Sequence, residues 1–277
     1  MLLLALDTST RHSSLALCSE DQLYGEYTWY SGNNHSVELL SNIQRIVAAS
    51  AMTLSQLDAI AVATGPGSFN ALRVALSTAK ALSFALKKPL VGVSTLDVIA
   101  AQQQQEHRLV CSVLEASRSE LYAACYLFDP LYSDDGELSY RLRRAGDYLL
   151  VKPEGVAAYI QEHGCAWQGL PEGQQPGPFL FCGEIGVASR QALRTCLPDS
   201  SLFVSNLQAA RRASSLAELA FQYLHDGKED DPVALEPLYL RRPSITTSTR
   251  KQPLLGGTAQ QPARPHTTER GEGALRH

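Results

Sequence analysis

Two acidic residues lie where predicted strands end, and acids in such places can hold a metal ion or a phosphate group. Asp7 ends the apolar run at the start of the chain, in LALDTST, and Glu115 ends a second run, in LVCSVLEASRS. In phosphoryl-transfer enzymes an acid at this place binds Mg²⁺, and the polar turn after it, which here begins with Thr8, contacts phosphate. An acid that only accepts hydrogen bonds from its own turn fits the same pattern, so both interpretations stay open.

A glycine-rich turn, TGPGSF, lies between an apolar run and a long alanine-rich helical pattern. The backbone amides of Gly67 and Ser68 can face an anion there, because a helix N-terminus favours negative charge. Ser68 as an N-cap without a ligand is the alternative. No lysine follows at the P-loop spacing, which excludes a Walker site. The candidate nucleotide cleft, interpreted as a remnant, consists of Asp7, Thr8, Gly65, Gly67, Ser68 and Glu115.

The elements that would position these residues follow the order β-β-β-α-β-α-β in the first hundred residues. The pattern predicts strands at Leu2–Leu6, Ser14–Cys18, Leu23–Thr28, Leu57–Ala63 and Pro89–Ser94, and helices at His35–Ala49 and Asn70–Leu86. This order is typical of the ribonuclease-H-like fold. The second half repeats it in part, because Leu109–Phe128 reads strand, acid, turn, strand, and Pro178–Leu193 reads strand, glycine turn, helix.

The repeat predicts an α/β protein with a duplicated ribonuclease-H-like fold, in the two-lobed arrangement of actin, Hsp70 and sugar kinases. Chance likeness between two α/β halves is the alternative. The predicted parts are an N-terminal lobe over 1–105 that a helix at 214–225 completes, a C-terminal lobe over 106–213, and a disordered tail over 243–277. The tail is rich in Pro, Gly, Thr and Gln and poor in apolar residues.

Composition restricts the partners and the compartment. The formal net charge is −4, which argues against a chain that grips nucleic acid by itself, since phosphate neutralisation needs clustered Lys and Arg. The first apolar run is too short for a signal peptide or a membrane span. The six cysteines form no C-x-x-C pair. These features predict a cytoplasmic protein without membrane contact.

The second predicted helix has an unusual distribution of side chains. Arg73, Ser77 and Lys80 form a narrow polar stripe, and almost all other positions are apolar. A helix that lies on a sheet buries about one face, so this helix has more apolar surface than a sheet alone would cover. Either the chain's own helix at 35–49 covers that surface, or a second protein does.

Several segments together resemble the TsaB (YeaZ) family over residues 1–242. They are LALDTSTRHSSLAL, NNHSVELLSNIQRIV, the run from Leu57 to Ala101 that includes GPGSFNALRVA, and PLYLR. Two positions depart from the family's usual loop, since Asn70 replaces a Thr and Ala71 replaces a Gly. The Cβ of Ala71 weakens the case for a ligand at this turn, because it hinders close approach to the backbone.

The resemblance implies a non-catalytic subunit, without a required cofactor, that pairs with its paralogue TsaD. TsaD forms N6-threonylcarbamoyladenosine at position 37 of tRNAs that read ANN codons, and it carries a helical H-x-x-x-H metal motif. Thr95 and Ile99 occupy those two places here, so no metal site is expected, and a metallopeptidase is disfavoured.

The resemblance also implies the partners. The ATPase TsaE joins the assembly, and tRNA is held mainly by partners. A homodimer in the absence of TsaD, weak ATP or ADP binding, and a stand-alone ATPase or phosphotransferase of the actin-like fold stay open as alternatives. The predicted contacts with TsaD are Val37, Leu40, Leu72, Ala75 and Ala79.

Overall fold

Two five-stranded sheets form the framework of the computed structural model, which describes residues 1–32, 34–104, 109–132, 138–169 and 177–241. The strands are β1 Leu3–Asp7, β2 His12–Cys18, β3 Leu23–Tyr30, β4 Ala59–Gly65, β5 Leu90–Ser94, β6 Val110–Glu115, β7 Leu121–Tyr132, β8 Leu138–Val151, β9 Phe179–Cys182 and β10 Ser201–Phe203. The helices are α1 His35–Ala49, α2 Phe69–Leu86, α3 Thr95–Ala101, α4 Pro153–Trp167, α5 Val187–Cys196 and α6 Ala213–His225.

The first sheet has the strand order β3-β2-β1-β4-β5, with β1 antiparallel to β2 and parallel to β4. All five residues of β1 are buried because helices cover both faces of the sheet. The helices α1 and α2 pack on the face that carries Leu4 and Leu6. On the other face, α6 packs against Leu3 and Ala5, with α3 beside it. The alternation of side chains along a strand divides the apolar run of β1 between these two cores.

The second sheet has the order β10-β9-β6-β7-β8, which repeats the strand order and directions of the first. The glycine turns also correspond. Gly65 ends β4 with a φ of +108°, and Gly183 follows β9 with a φ of +106°. A residue with a side chain rarely adopts this conformation, so glycine is required at both turns. The predicted α/β fold with two similar halves is therefore confirmed.

The differences from the prediction are local. The bounds of α1 agree with the prediction, and α2 begins one residue early, at Phe69. The sequence patterns did not predict β10, which has only 3 residues, or β8, whose exposed polar positions hide its strand character. Among the described residues, no helix is long and apolar enough to cross a membrane. The predicted tail over 243–277 lies outside the described residues, and the predicted lobe boundaries stay a prediction.

Candidate functional site

The carboxylate of Asp7 is buried and fully engaged inside the protein. Asp7 is 1% exposed. Its Oδ1 accepts a hydrogen bond from the backbone N–H of Ser9 at 2.7 Å, and its Oδ2 accepts one from Nε of Arg211 at 2.8 Å. Arg211 precedes α6 and is itself 1% exposed. The acid that could have bound a metal ion therefore has an internal cation in contact with it.

Arg211 connects the turn after β1 to the turn after β9. Its terminal nitrogens donate to Glu184 and to the hydroxyl of Thr10, and one of them also donates to the carbonyl of His12 at 2.8 Å. Burial alone would lower the pKa of Arg211, but the carboxylates of Asp7 and Glu184 outweigh it and raise the pKa. The guanidinium is thus a fixed positive charge that ties the two sheets together.

The turn after β1 also uses hydrogen-bonding groups that a phosphate would need. Thr8 is fully buried, and its hydroxyl donates to the carbonyl of Ala71 at 2.5 Å. The backbone N–H of Ser68 donates to the carbonyl of Ser9 at 2.7 Å. A Cβ on Gly67 would lie 2.2 Å from that same carbonyl oxygen, so only glycine fits there. Contrary to the expectation from sequence, the amide of Ser68 holds the neighbouring turn instead of facing open space.

Three of the six predicted cleft residues line an open space between the sheets. Gly67, Ser68 and Glu115 border a cleft of about 500 Å³. Glu115 also borders a mostly apolar pocket of about 330 Å³, and Glu184 contributes to both spaces. The carboxylate of Glu115 is exposed and accepts a hydrogen bond at 2.8 Å from the backbone N–H of Gly186, the N-cap of α5. The cleft residues Asp7, Thr8 and Gly65 are buried beneath it.

The positions that correspond to the paired histidines contain no metal-binding side chains. Thr95 and Ile99 lie on α3 and are buried, and the hydroxyl of Thr95 is 2.8 Å from that of Ser9. Within the described ranges, no group of three or more His, Cys, Asp and Glu residues could hold a metal ion. This donor set does not fit a metallopeptidase centre.

The predicted partner contacts fall into two groups. Val37 and Leu40, on α1, are 73% and 54% exposed. In contrast, Leu72, Ala75 and Ala79 are at most 1% exposed and pack within the protein, so this structure leaves them no surface for the predicted contact with a partner. The reason is that α2 lies on the first sheet with α1 beside it, which buries this face of α2, whereas Phe84 on the same helix is 58% exposed.

Sequence patterns did not indicate Arg211, which pairs with Asp7, or Glu184, which pairs with Arg211. Arg211 lies 204 positions from Asp7 along the chain. The only local signal is the pair of arginines before the last helix, in AARRASS, and it gives no indication of a buried partner. Glu184 stands in the glycine turn that the repeat identified, but its contact depends on how the two sheets meet.

Comparison with known proteins identifies the family. The family model described as TsaD, tRNA N6-adenosine threonylcarbamoyltransferase, matches residues 30–248. A Haemophilus influenzae protein named tRNA threonylcarbamoyladenosine biosynthesis protein TsaB is 35% identical over 165 residues, which are 57% of this chain and 67% of that protein. The chain belongs to the TsaB family. The sequence resemblance is thereby confirmed, and the match to the TsaD model agrees with a relationship between paralogues.

Other TsaB proteins match over different lengths. The Escherichia coli TsaB is 27% identical over 243 residues, which are 87% of this chain and 95% of that protein. The match to the Bacillus subtilis TsaB is 33% identical and covers 46% of this chain and 56% of that protein. The solved structure of YeaZ from Pseudomonas aeruginosa superimposes with a TM-score of 0.66 at 24% identity, over 86% of this chain and 99% of that one, which supports the fold. The named relatives are proteins of tRNA threonylcarbamoyladenosine biosynthesis, and this chain is a member of their family.

Proposed function

We propose that this chain is a non-catalytic subunit that binds TsaD and supports the formation of N6-threonylcarbamoyladenosine at position 37 of ANN-decoding tRNAs. The observation that carries the proposal is the buried ion pair between Arg211 and Asp7. In phosphoryl-transfer enzymes, carboxylates hold the Mg²⁺ that neutralises the phosphate charge, which requires an acid open to the ligand. Here the acid neutralises a cation of the same chain, so the chemistry falls to the partner.

The surface of α1 is the proposed docking surface. Val37 and Leu40 are one helical turn apart on α1 and extend into solvent, although such side chains are usually buried. Glu38 lies between them in sequence and faces the chain itself, since it accepts hydrogen bonds from the indole of Trp29 and the hydroxyl of Ser31. These contacts fix the start of α1, so that the exposed pair is presented on a rigid element.

The mechanism follows from linkage. A partner subunit activates an enzyme only if it binds the active conformation of that enzyme more tightly than the inactive one. The internal contacts of Arg211 favour this role, because a chain whose sheets are tied together can act as a rigid template. We infer that TsaE joins the assembly after this pair forms and that tRNA is held mainly by the partners. A homodimer through the same surface competes with TsaD when TsaD is absent.

The test is a pair of Val→Asp substitutions. Val37→Asp places a charge on the docking surface, and Val187→Asp places one on an exposed residue of α5 that is 86% accessible. Both valines lie in the first turn of a helix, so the effects on stability should be similar. We expect Val37→Asp, alone or with Leu40→Asp, to abolish co-elution with TsaD and the stimulation of tRNA modification. Val187→Asp should retain both.

The burial of Leu72 and Ala75 makes them unsuitable for this test. A charge at either position would unfold the chain, and the loss of binding would then say nothing about the surface. If Val37→Asp with Leu40→Asp stays folded, co-elutes with TsaD and supports modification at the wild-type rate, the docking surface has been assigned wrongly.

A stand-alone nucleotide enzyme is the second candidate, favoured by the open cleft that Gly67, Ser68 and Glu115 line. Calorimetric titration of the isolated chain with ATP and Mg²⁺ separates the two. Binding with turnover that Glu115→Gln removes would support the enzyme. Absence of turnover, with or without weak binding of ATP or ADP, would support the subunit.

A further inference from the structure

A polar pocket of about 270 Å³ lies between α3, the hairpin of β7 and β8, and the C-terminal end of α6. It shares no lining residue with the cleft that contains Glu115. Neither the proposed docking on TsaD nor the ion pair of Arg211 uses any of its side chains. The pocket therefore needs an explanation of its own.

The carboxylate of Asp97 lies at the floor of the pocket and already accepts hydrogen bonds from two tyrosine hydroxyls. Oδ1 of Asp97 accepts hydrogen bonds from the hydroxyls of Tyr126 at 2.7 Å and Tyr148 at 3.0 Å. Burial raises the pKa of Asp97, although these two hydrogen bonds act in the opposite direction. The three side chains come from α3, β7 and β8, so their contacts hold the walls of the pocket in one arrangement.

The rim of the pocket carries more positive than negative charge. Arg141 and Lys228 both bind the carboxylate of Asp226, at 2.8 Å and 3.2 Å. Arg144 is the third cation of the rim, and no carboxylate among the described residues lies within 4.0 Å of it. With Asp97 and Asp226 as the two acids, one positive charge remains in excess.

The guanidinium of Arg144 is held in place without a direct ion pair. Burial would lower the pKa of Arg144, but Tyr148 and the more distant carboxylate of Asp97 raise it. Its central carbon lies 4.0 Å from the centroid of the Tyr148 ring, and its Nε donates to the carbonyl of Gly146 at 3.2 Å. Stacking fixes the plane of the guanidinium, while its two terminal nitrogens can donate in parallel to one oxyanion. A guanidinium that is already held in position loses little conformational freedom when a ligand binds.

We propose that this pocket binds the oxyanion of a small molecule, either a carboxylate or a phosphate group, on Arg144. The excess of one positive charge matches a ligand group with about one negative charge. The volume of the pocket, about 270 Å³, admits a group of a few heavy atoms. The proposal is independent of the function proposed for α1, since the two surfaces have no residue in common.

Titration of the full chain with inorganic phosphate and with acetate, up to about 10 mM, tests the proposal and distinguishes the two kinds of group. Arg144→Gln removes the guanidinium. Arg143→Gln is the matched control, because Arg143 is the neighbouring residue of β8 and pairs with Asp129 at 2.7 Å. We expect at least one anion to bind the wild type and Arg143→Gln equally. Binding to Arg144→Gln should be weaker by roughly tenfold to a hundredfold, the effect of losing a charge-assisted hydrogen bond.

Arg144→Lys adds a second measurement, because it keeps the positive charge and removes the two parallel N–H donors of the guanidinium. It should bind more weakly than the wild type and more tightly than Arg144→Gln. Two results would overturn the proposal. One is that neither anion binds the wild type in this range. The other is that Arg143→Gln and Arg144→Gln lose the same amount, which would mean that only the general surface charge attracts the anion.

Discussion

Substitution of Arg211 by Met tests the central ion pair most directly. Met retains much of the apolar length of the side chain and removes the guanidinium. The carboxylate of Asp7, 1% exposed, would then be buried without a counterion. Breaking a buried ion pair in this way costs about 3–5 kcal/mol. The side chain of Glu184 is 29% exposed, so water can replace its half of the contact at a smaller cost.

The loss of Arg211 should therefore lower the melting temperature by roughly 6–20 °C, since each kcal/mol corresponds to about 2–4 °C in a chain of this size. Urea denaturation followed by circular dichroism measures the same change as a free energy of unfolding. The matched control is Arg212→Met. Arg212 is the next residue along the chain, and its side chain is 57% exposed. Its partner Glu26 is 12% exposed but keeps a hydrogen bond from the backbone N–H of Ser214, so the loss of Arg212 should cost about 1 kcal/mol, well below that of Arg211.

A double variant makes the result specific to charge. Asp7→Asn with Arg211→Met removes both members of the pair and should be more stable than Arg211→Met alone, because no unpaired buried charge remains. If Arg211→Met loses no more stability than Arg212→Met, the carboxylate of Asp7 is not held in the way that the geometry implies.

Three further predictions concern other parts of the chain. Gly67→Ala should destabilise the fold by about 1–3 kcal/mol in urea denaturation, because its Cβ would lie 2.2 Å from the Ser9 carbonyl, whereas Gly177→Ala, whose nearest neighbour is at 3.5 Å, should be nearly neutral. Asp97→Asn should change the pH dependence of stability. The pKa of Asp97 is raised above its ordinary 3.8 in the folded chain, so the wild type loses unfolding free energy as the pH rises above that value. The Asn variant should lack this loss. Parallel curves of unfolding free energy against pH for the two proteins would contradict the prediction. Thiol alkylation at about pH 8 should leave Cys18 unmodified, because burial raises its pKa to about 12. Mass spectrometry should find the first labels on the two half-buried cysteines, Cys165 and Cys196. Early labelling of Cys18 would refute this prediction.

Local sequence patterns predicted the framework because the strands and helices of this chain carry strong apolar periodicity. The bounds of α1 agree to the residue, and the repeat of strand, acid and turn after β6 agrees with a second sheet of the same order. The patterns failed at β8, where contact with solvent on both faces leaves many polar side chains. A strand of three residues, such as β10, gives no periodicity to detect.

The burial of Asp7 and its pairing with Arg211 could not be predicted, because they depend on contacts between distant segments of the chain. The sequence shows Asp7 after a strand but not that Arg211 reaches it from the other end of the chain. It shows that α2 has excess apolar surface but not which part of that surface this chain's own core buries. Leu72 and Ala75 would carry the same side chains whether they faced a partner or this chain's own core, and only the packing of α1 and the sheet decides between the two.

The position of α6 has a consequence for how the protein is made. One face of the first sheet is covered by residues from Ala213 to Phe221, yet the strands that they cover are complete by Ser94. At a translation rate of roughly 5–20 residues per second, these strands wait on the order of ten seconds for their cover. During that interval the apolar side of the nascent sheet, including Leu3 and Val91, is open to chaperones and to other nascent chains. A stop codon anywhere before α6 would leave it open permanently.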